Sequence, residues 1–133
     1  MNLSSISEAC HVIGICGGAV GGSEAAALIA KSGSIAVVFE QNMRPYGKIE
    51  DGLPRWHSKL RNKEYAKIDE NLSTPGVVFV PGTRLGEDLS FSSLSNDAGL
   101  SALILAHGAW RDRPLPIEGV DRFIGNGLSY QNP

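Results

Sequence analysis

Residues 12–26 run Val-Ile-Gly-Ile-Cys-Gly-Gly-Ala-Val-Gly-Gly-Ser-Glu-Ala-Ala. A short apolar run meets four glycines in six residues and then an alanine-rich stretch. An apolar run without polar alternation fits a strand buried on both faces, the usual condition of a parallel sheet. Glycine permits a turn that a Cβ would obstruct. Alanines at 25, 26, 27 and 30 let a helix lie close against a sheet. The pattern predicts a strand over 11–16, a helix over 22–32 and a stop at Gly33. Ile35-Ala36-Val37-Val38-Phe39-Glu40 then reads as a second buried strand. Two parallel strands joined by one helix form a right-handed crossover.

The middle of the chain changes texture. Residues 41–53 are polar, contain Pro45 and Gly47, and read as loop. Pro54 is suited to a helix start, because its missing N–H is not needed there. Residues 55–72 are charged and amphipathic, with Trp56, Leu60, Tyr65, Ile68 and Leu72 as apolar points. Thr74-Pro75-Gly76 ends that segment. Val77–Val80 is a third strand, residues 83–99 a connection with one helical turn, and Leu100–Ala106 a fourth strand. Residues 111–116 are extended and exposed. Residues 1–10 read as a leader, and 11–133 as one α/β domain with a mostly parallel sheet and helices in a three-layer, Rossmann-like arrangement. No closing strand or helix precedes Pro133, so the expected architecture is part of a longer protein.

The balance of charges, formally −2, gives no general attraction to nucleic acid or anionic membranes. No apolar run approaches the ~18 residues of a membrane-spanning helix. The N-terminus lacks the basic and apolar regions of a signal peptide, so a cytoplasmic location is expected. The two cysteines, Cys10 and Cys16, match neither a redox pair nor a zinc set. Cys16 ends an apolar strand and is expected to be a small buried residue. No metal-ligand motif is present.

The glycine stretch carries the ligand chemistry. A phosphate-binding turn needs a tight bend, a close backbone approach to the pyrophosphate and close helix–strand packing. The register Gly17-x-Ala19-x-x-Gly22 meets this pattern, with Ala19 in place of the second glycine. Gly18 and Gly21 define a second register. The following helix N-terminus offers free amides to an anion. Glu40 closes the next strand 18 residues after Gly22. A carboxylate there can accept hydrogen bonds from both ribose hydroxyls and repels a 2′-phosphate. Residues, spacing and strand context together point to an adenine dinucleotide, FAD or NAD.

Residues 16–22, Phe39-Glu40-Gln41, Pro45-Tyr46-Gly47, Leu105-Ala106-His107-Gly108-Ala109 and Pro116-Ile117-Glu118-Gly119 resemble, in order, segments of an FAD-dependent pyridine nucleotide oxidoreductase family. Its members include adrenodoxin-reductase-type ferredoxin–NADP reductases and the small subunit of glutamate synthase. Glu50-Asp51-Gly52-Leu53-Pro54 is similar to the family's short loop before a helix. The resemblance implies the N-terminal FAD-binding portion of a two-domain enzyme. In such an enzyme hydride passes from NAD(P)H to flavin, and electrons leave to an iron–sulfur, ferredoxin-like acceptor. It places Gly17, Ala19 and Gly22 at the pyrophosphate and Glu40 at the adenosine ribose, with Gly18, Gly21 and Gln41 as further candidate cofactor-binding residues. Gly47 and Leu53 fall near the flavin, with His107 and Gly108 bordering the cofactor. The NAD(P)H motif and the family's closing FAD segment are absent from this sequence, so NAD(P)H is expected only with a second domain.

The resemblance implies no protein nucleophile or general base in this segment. His107 reads as a polar strand-end residue with a positioning role, and His11 and His57 as structural. Arg55, Lys59, Arg61 and Lys63 alternate with acids and read as a solvated helix face. Trp110 with Arg111-Asp112-Arg113 suggests a contact at a domain hinge. Two other functions fit the glycine turn: an NAD-dependent dehydrogenase unit, and a non-catalytic dinucleotide-binding or interaction module.

Overall fold

The computed structural model describes residues 11–130; the leader over 1–10, with Cys10, lies outside them. Strands β1 (Val12–Cys16), β2 (Ile35–Phe39), β3 (Val77–Val80) and β4 (Ala102–Leu105) form one sheet in the order β3-β2-β1-β4. Every pairing is parallel, with Ile15 opposite Val38 and Ile104, and Val38 opposite Phe79. The α/β, mostly parallel architecture read from the sequence is the one observed, with a small sheet.

Helix α1 (Val20–Lys31) connects β1 to β2. A short helix α2 (Lys48–Gly52) and the longer α3 (Ser58–Leu72) lie between β2 and β3. Helix α1 packs on both β1 and β2 and also on α3, so α1 and α3 cover the same sheet face. The core forms there. Ile15, Ala36 and Val38 from the sheet and Ala26 from α1 are fully buried, with Ile29, Leu72, Phe79 and Ile104 packed around them. A methyl at Ala26 lets α1 sit close to the strands, as the alanine spacing predicts.

Two polar residues are buried between the helices. Asn71 of α3 donates through Nδ2 to Glu24 Oε2 at 2.9 Å and approaches Ser23 Oγ at 3.5 Å. Ser23 Oγ donates in turn to the carbonyl of Val20 at 3.3 Å. Each buried polar group therefore has a partner, as low-dielectric burial requires.

The element boundaries depart from expectation in four places. Helix α1 begins at Val20, two residues before the expected start at 22, so Gly21 belongs to its first turn rather than to the preceding bend. Helix α3 begins at Ser58, not at 55, because Pro54–His57 forms its own turn, closed by the His57 amide on the Pro54 carbonyl at 3.0 Å. The 41–53 stretch, read as loop, contains α2, which begins where Gly47 (φ +49) reverses the chain. Trp56, read as an apolar point on a helix, lies in that turn and is 81% exposed.

The loop between β2 and α3 is held from outside. Tyr46 stacks on Tyr65 of α3 with centroids 4.0 Å apart, and its hydroxyl donates to Asp69 at 3.1 Å. Arg61, expected on a solvated face, donates to the Leu53 carbonyl at 2.9 Å and to the Tyr65 hydroxyl at 2.7 Å. Helix α3 thus anchors both ends of the loop.

Candidate functional site

In an open parallel sheet, ligands bind beyond the carboxyl ends of the strands, where the strand order reverses. Here the chain moves from β1 outward to β2 and β3, and then returns to place β4 on the other side of β1. The reversal lies between β1 and β4. Backbone hydrogen bonds stitch the end of β1 to its neighbours on both sides. The Gly17 amide donates to the Phe39 carbonyl at 2.7 Å, and the Ala106 amide donates to the Cys16 carbonyl at 2.8 Å.

The glycine turn follows directly. Gly17 has φ +102, a left-handed conformation open to glycine, and a Cβ there would lie 2.6 Å from the Ala106 carbonyl oxygen. Gly22 faces back onto the turn, and a Cβ there would run into the carbonyl oxygen of Gly17. Gly21 has open space around it. The steric demand of the turn therefore falls at Gly17 and Gly22. Ala19 caps α1 with φ −73, a value any L-residue adopts, so its methyl strains nothing locally. The methyl abuts Gly47, where an added Cβ would come within 3.0 Å of it. A helix that starts at Val20 leaves its first amides without intrahelical acceptors.

Glu40 lies one residue past β2 and is only 4% exposed. Its Oε2 accepts from the Gly18 amide at 2.8 Å, and its Oε1 from the Asn42 amide at 2.9 Å. The carboxylate ties the glycine turn to the following loop. A carboxylate has about four lone-pair sites, so about two remain for a further donor.

These strand ends surround a cavity of about 240 Å³. Gly17, Ala19, Glu40, Gln41, Gly47 and His107 line it, six of the residues singled out from the sequence. Gly18, Gly21, Gly22, Leu53 and Gly108 do not border it; Leu53 borders a separate groove with Pro54, Trp56 and Tyr130. His107 is exposed, and its Nδ1 lies 2.9 Å from the Gly108 carbonyl.

Sequence reasoning missed the opposite wall, formed by Thr83, Leu85, Leu89 and Leu94. Residues 83–99 carry no periodic pattern. Leu94 is buried only because one π-helical turn, Ser93–Asp97, packs beside β4. Trp110 also borders the cavity, its Nε1 donating to the His107 carbonyl at 2.5 Å. Burial pushes the Cys16 thiol, in the cavity wall, above its ordinary range. Among the described residues, no cluster of His, Cys, Asp and Glu is placed to hold a metal ion, and no helix is long and apolar enough to cross a membrane.

No family model matches the chain. Curated relatives do. Over 124 residues the chain is 32% identical to a Cereibacter sphaeroides protein described as a glutamate synthase (NADPH) small chain, covering 92% of this chain and 29% of that protein. It is 31% identical to the glutamate synthase (NADPH) small chain of Mycobacterium tuberculosis, covering 83% of this chain and 23% of that one. It is 29% identical to the NADPH-Fe(3+) oxidoreductase subunit beta of Geobacter sulfurreducens, covering 89% and 18%. The fold matches FprA of Mycobacterium tuberculosis, solved in complex with NADPH, with a TM-score of 0.69 at 24% identity over 84% of this chain and 26% of that one. The chain thus spans less than a third of the length of each of these relatives. The kinship expected from the sequence is borne out: the curated relatives are glutamate synthase (NADPH) small chains and an NADPH-Fe(3+) oxidoreductase subunit, each matched over part of its length.

Proposed function

We propose that this chain, a relative of part of the NADPH-linked oxidoreductases, is the adenine-dinucleotide-binding portion of a flavoprotein oxidoreductase, with FAD as its dinucleotide. Residues 11–133 would form one FAD-binding unit. The NAD(P)H site and the surface for a ferredoxin-like, iron–sulfur acceptor would belong to the remainder of a longer enzyme.

The observation that carries this reading is the bridge from Glu40 to the Gly18 amide at 2.8 Å. It supports the reading because it sets the carboxylate at the end of β2 directly beside the glycine turn at the end of β1. The residues fit the group. Gly17 and Gly22 allow a turn too tight for any Cβ, which brings the start of α1 back against the end of β1. The first-turn amides of α1 suit a pyrophosphate by hydrogen bonding and dipole. Glu40, already oriented by two backbone amides, would accept from the ribose hydroxyls with its remaining lone pairs. Leu85, Leu89 and Leu94 provide an apolar wall suited to an adenine face. The buried carboxylate disfavours a 2′-phosphate, which argues against NADP in this groove.

Bound FAD would supply the hydride acceptance and the one-electron release. The chain's own residues bind and orient. Gly17 and Gly22 fix the backbone at the pyrophosphate, Glu40 sets the ribose, and Gly47 and His107 line the groove. No residue of this chain is proposed to take part in bond making.

The test is a titration of the purified protein with FAD, followed by quenching of flavin fluorescence. Saturable binding is expected. Binding of NADH without FAD would replace the proposal with a dehydrogenase unit, and binding of neither would favour a non-catalytic interaction module. Glu40→Gln should weaken FAD by about 10- to 100-fold, the loss expected for a hydrogen bond to a charged group. It should also narrow the preference for ADP over 2′-phospho-ADP. A Glu40 that only scaffolds the turn would lower both affinities equally, and that outcome would remove the ribose role.

A further inference from the structure

Beside the cavity of about 240 Å³ lies a second of about 290 Å³, bordered by Asn42, Met43, Arg44, Glu50 and Asp51. Gly47 and Trp110 border both. Sites that enclose small molecules are typically about 300–1,000 Å³. Neither cavity reaches that range, whereas the two merged do.

Trp110 contributes the one side chain larger than a hydrogen atom that the two linings share. Its Nε1 donates to the His107 carbonyl at 2.5 Å, within its own segment. Its ring lies 4.4 Å from the ammonium of Lys48, at the start of α2. The indole therefore spans from the exit of β4 to the loop after β2. Both tethers are of kinds that contribute little at exposed sites. Trp110 is 38% exposed and sits in a stretch without regular structure. Two residues earlier Gly108 adopts φ +71 with nothing near its Cβ position. Trp110 has no part in the core under α1 and α3.

We propose that Trp110 is a specificity-determining partition. With the indole across the groove, the site accepts the adenosine diphosphate half of a dinucleotide. With the indole swung out, the two cavities join and the second half lies down along α2. The partition sets the preference between a nucleoside diphosphate and a complete dinucleotide, and it rests on the dinucleotide site proposed above. A ligand shifts such an equilibrium only by its difference in affinity for the two arrangements. ADP and FAD should therefore respond differently to the same substitution.

Calorimetric titration with ADP and with FAD is compared for the wild type, Trp110→Ala and Lys48→Met. The lysine variant loosens the partition while leaving the indole in place, which covers the case of a misfolded alanine variant. Both variants should tighten FAD severalfold and leave ADP unchanged. Parallel shifts for the two ligands, no shift, or weaker FAD would overturn the partition. If the wild type binds neither ligand, the dinucleotide reading fails on its own. The partition is then judged by Cys16, which lies in the cavity wall and is buried. In a Cys10→Ser background, both variants should speed maleimide labelling of Cys16 at an unchanged unfolding midpoint; equal rates would refute a partition.

Discussion

Gly22 has no room for a side chain, while Gly21, its neighbour in the same helical turn, has nothing near it. The contrast gives a sharp pair of variants. Gly22→Ala should destabilise the protein by about 3 kcal/mol, the upper part of the overpacking range, because the obstacle is backbone. Gly21→Ala should stabilise it by about 0.5 kcal/mol through a less mobile unfolded chain. Urea unfolding of both reads the difference, and equal effects would refute the assigned close approach. Cys16 yields a pH prediction. Burial raises the thiol pKa in the folded state. The unfolded thiol therefore ionises first, near its ordinary value of about 8.5. Stability should hold below that pH and decline above it until the folded thiol also ionises. Cys16→Ala removes this decline, and the difference between the two urea-unfolding curves against pH isolates it from the Tyr46 hydroxyl, which burial and Asp69 also raise.

At the scale of elements, the pairing of α1 with α3 shows where sequence periodicity stops being informative. Ile68 is buried, as the apolar spacing predicts, but so is Asn71, which no apolar pattern selects. Its place is decided by a partner 47 residues earlier, Glu24. Asn71→Ala should cost about 1–3 kcal/mol, because Ser23 lies fully buried beneath it and loses a neighbour able to hydrogen-bond. Asn71→Asp should cost more, since it sets a second carboxylate beside Glu24. Thermal unfolding checks both, and an unaffected Asn71→Ala would show that the pair contributes nothing. Helix α2 was illegible for a related reason. Five residues carry too little pattern, and the Gly47 reversal that starts the helix depends on the fit against Ala19.

For the whole molecule, the two sheet faces differ. One is covered by α1 and α3. The alternation of the strands turns Val37, Val78 and Leu105 to the other, where Val78 is 49% and Leu105 52% exposed. Parallel sheets are nearly always covered on both faces. The isolated chain should therefore bind a hydrophobic dye, and Val78→Lys with Leu105→Lys should abolish that binding without lowering helix content. Dye binding that survives the double substitution would place the apolar surface elsewhere.

The four strands, the crossover helix, the glycine turn and the acid at the end of β2 were all determined by the sequence. Each rests on local chemistry: apolar runs, small residues, and the freedom of glycine at a bend. The tertiary structure alone decided which glycines bear the steric load, since that depends on the approach of Ala106 and on the folding back of α1. It alone brought Leu85, Leu89, Leu94 and Trp110 to the groove. Those residues come from stretches without periodic pattern, and their positions follow from packing across the sheet rather than from any preference of their own segments.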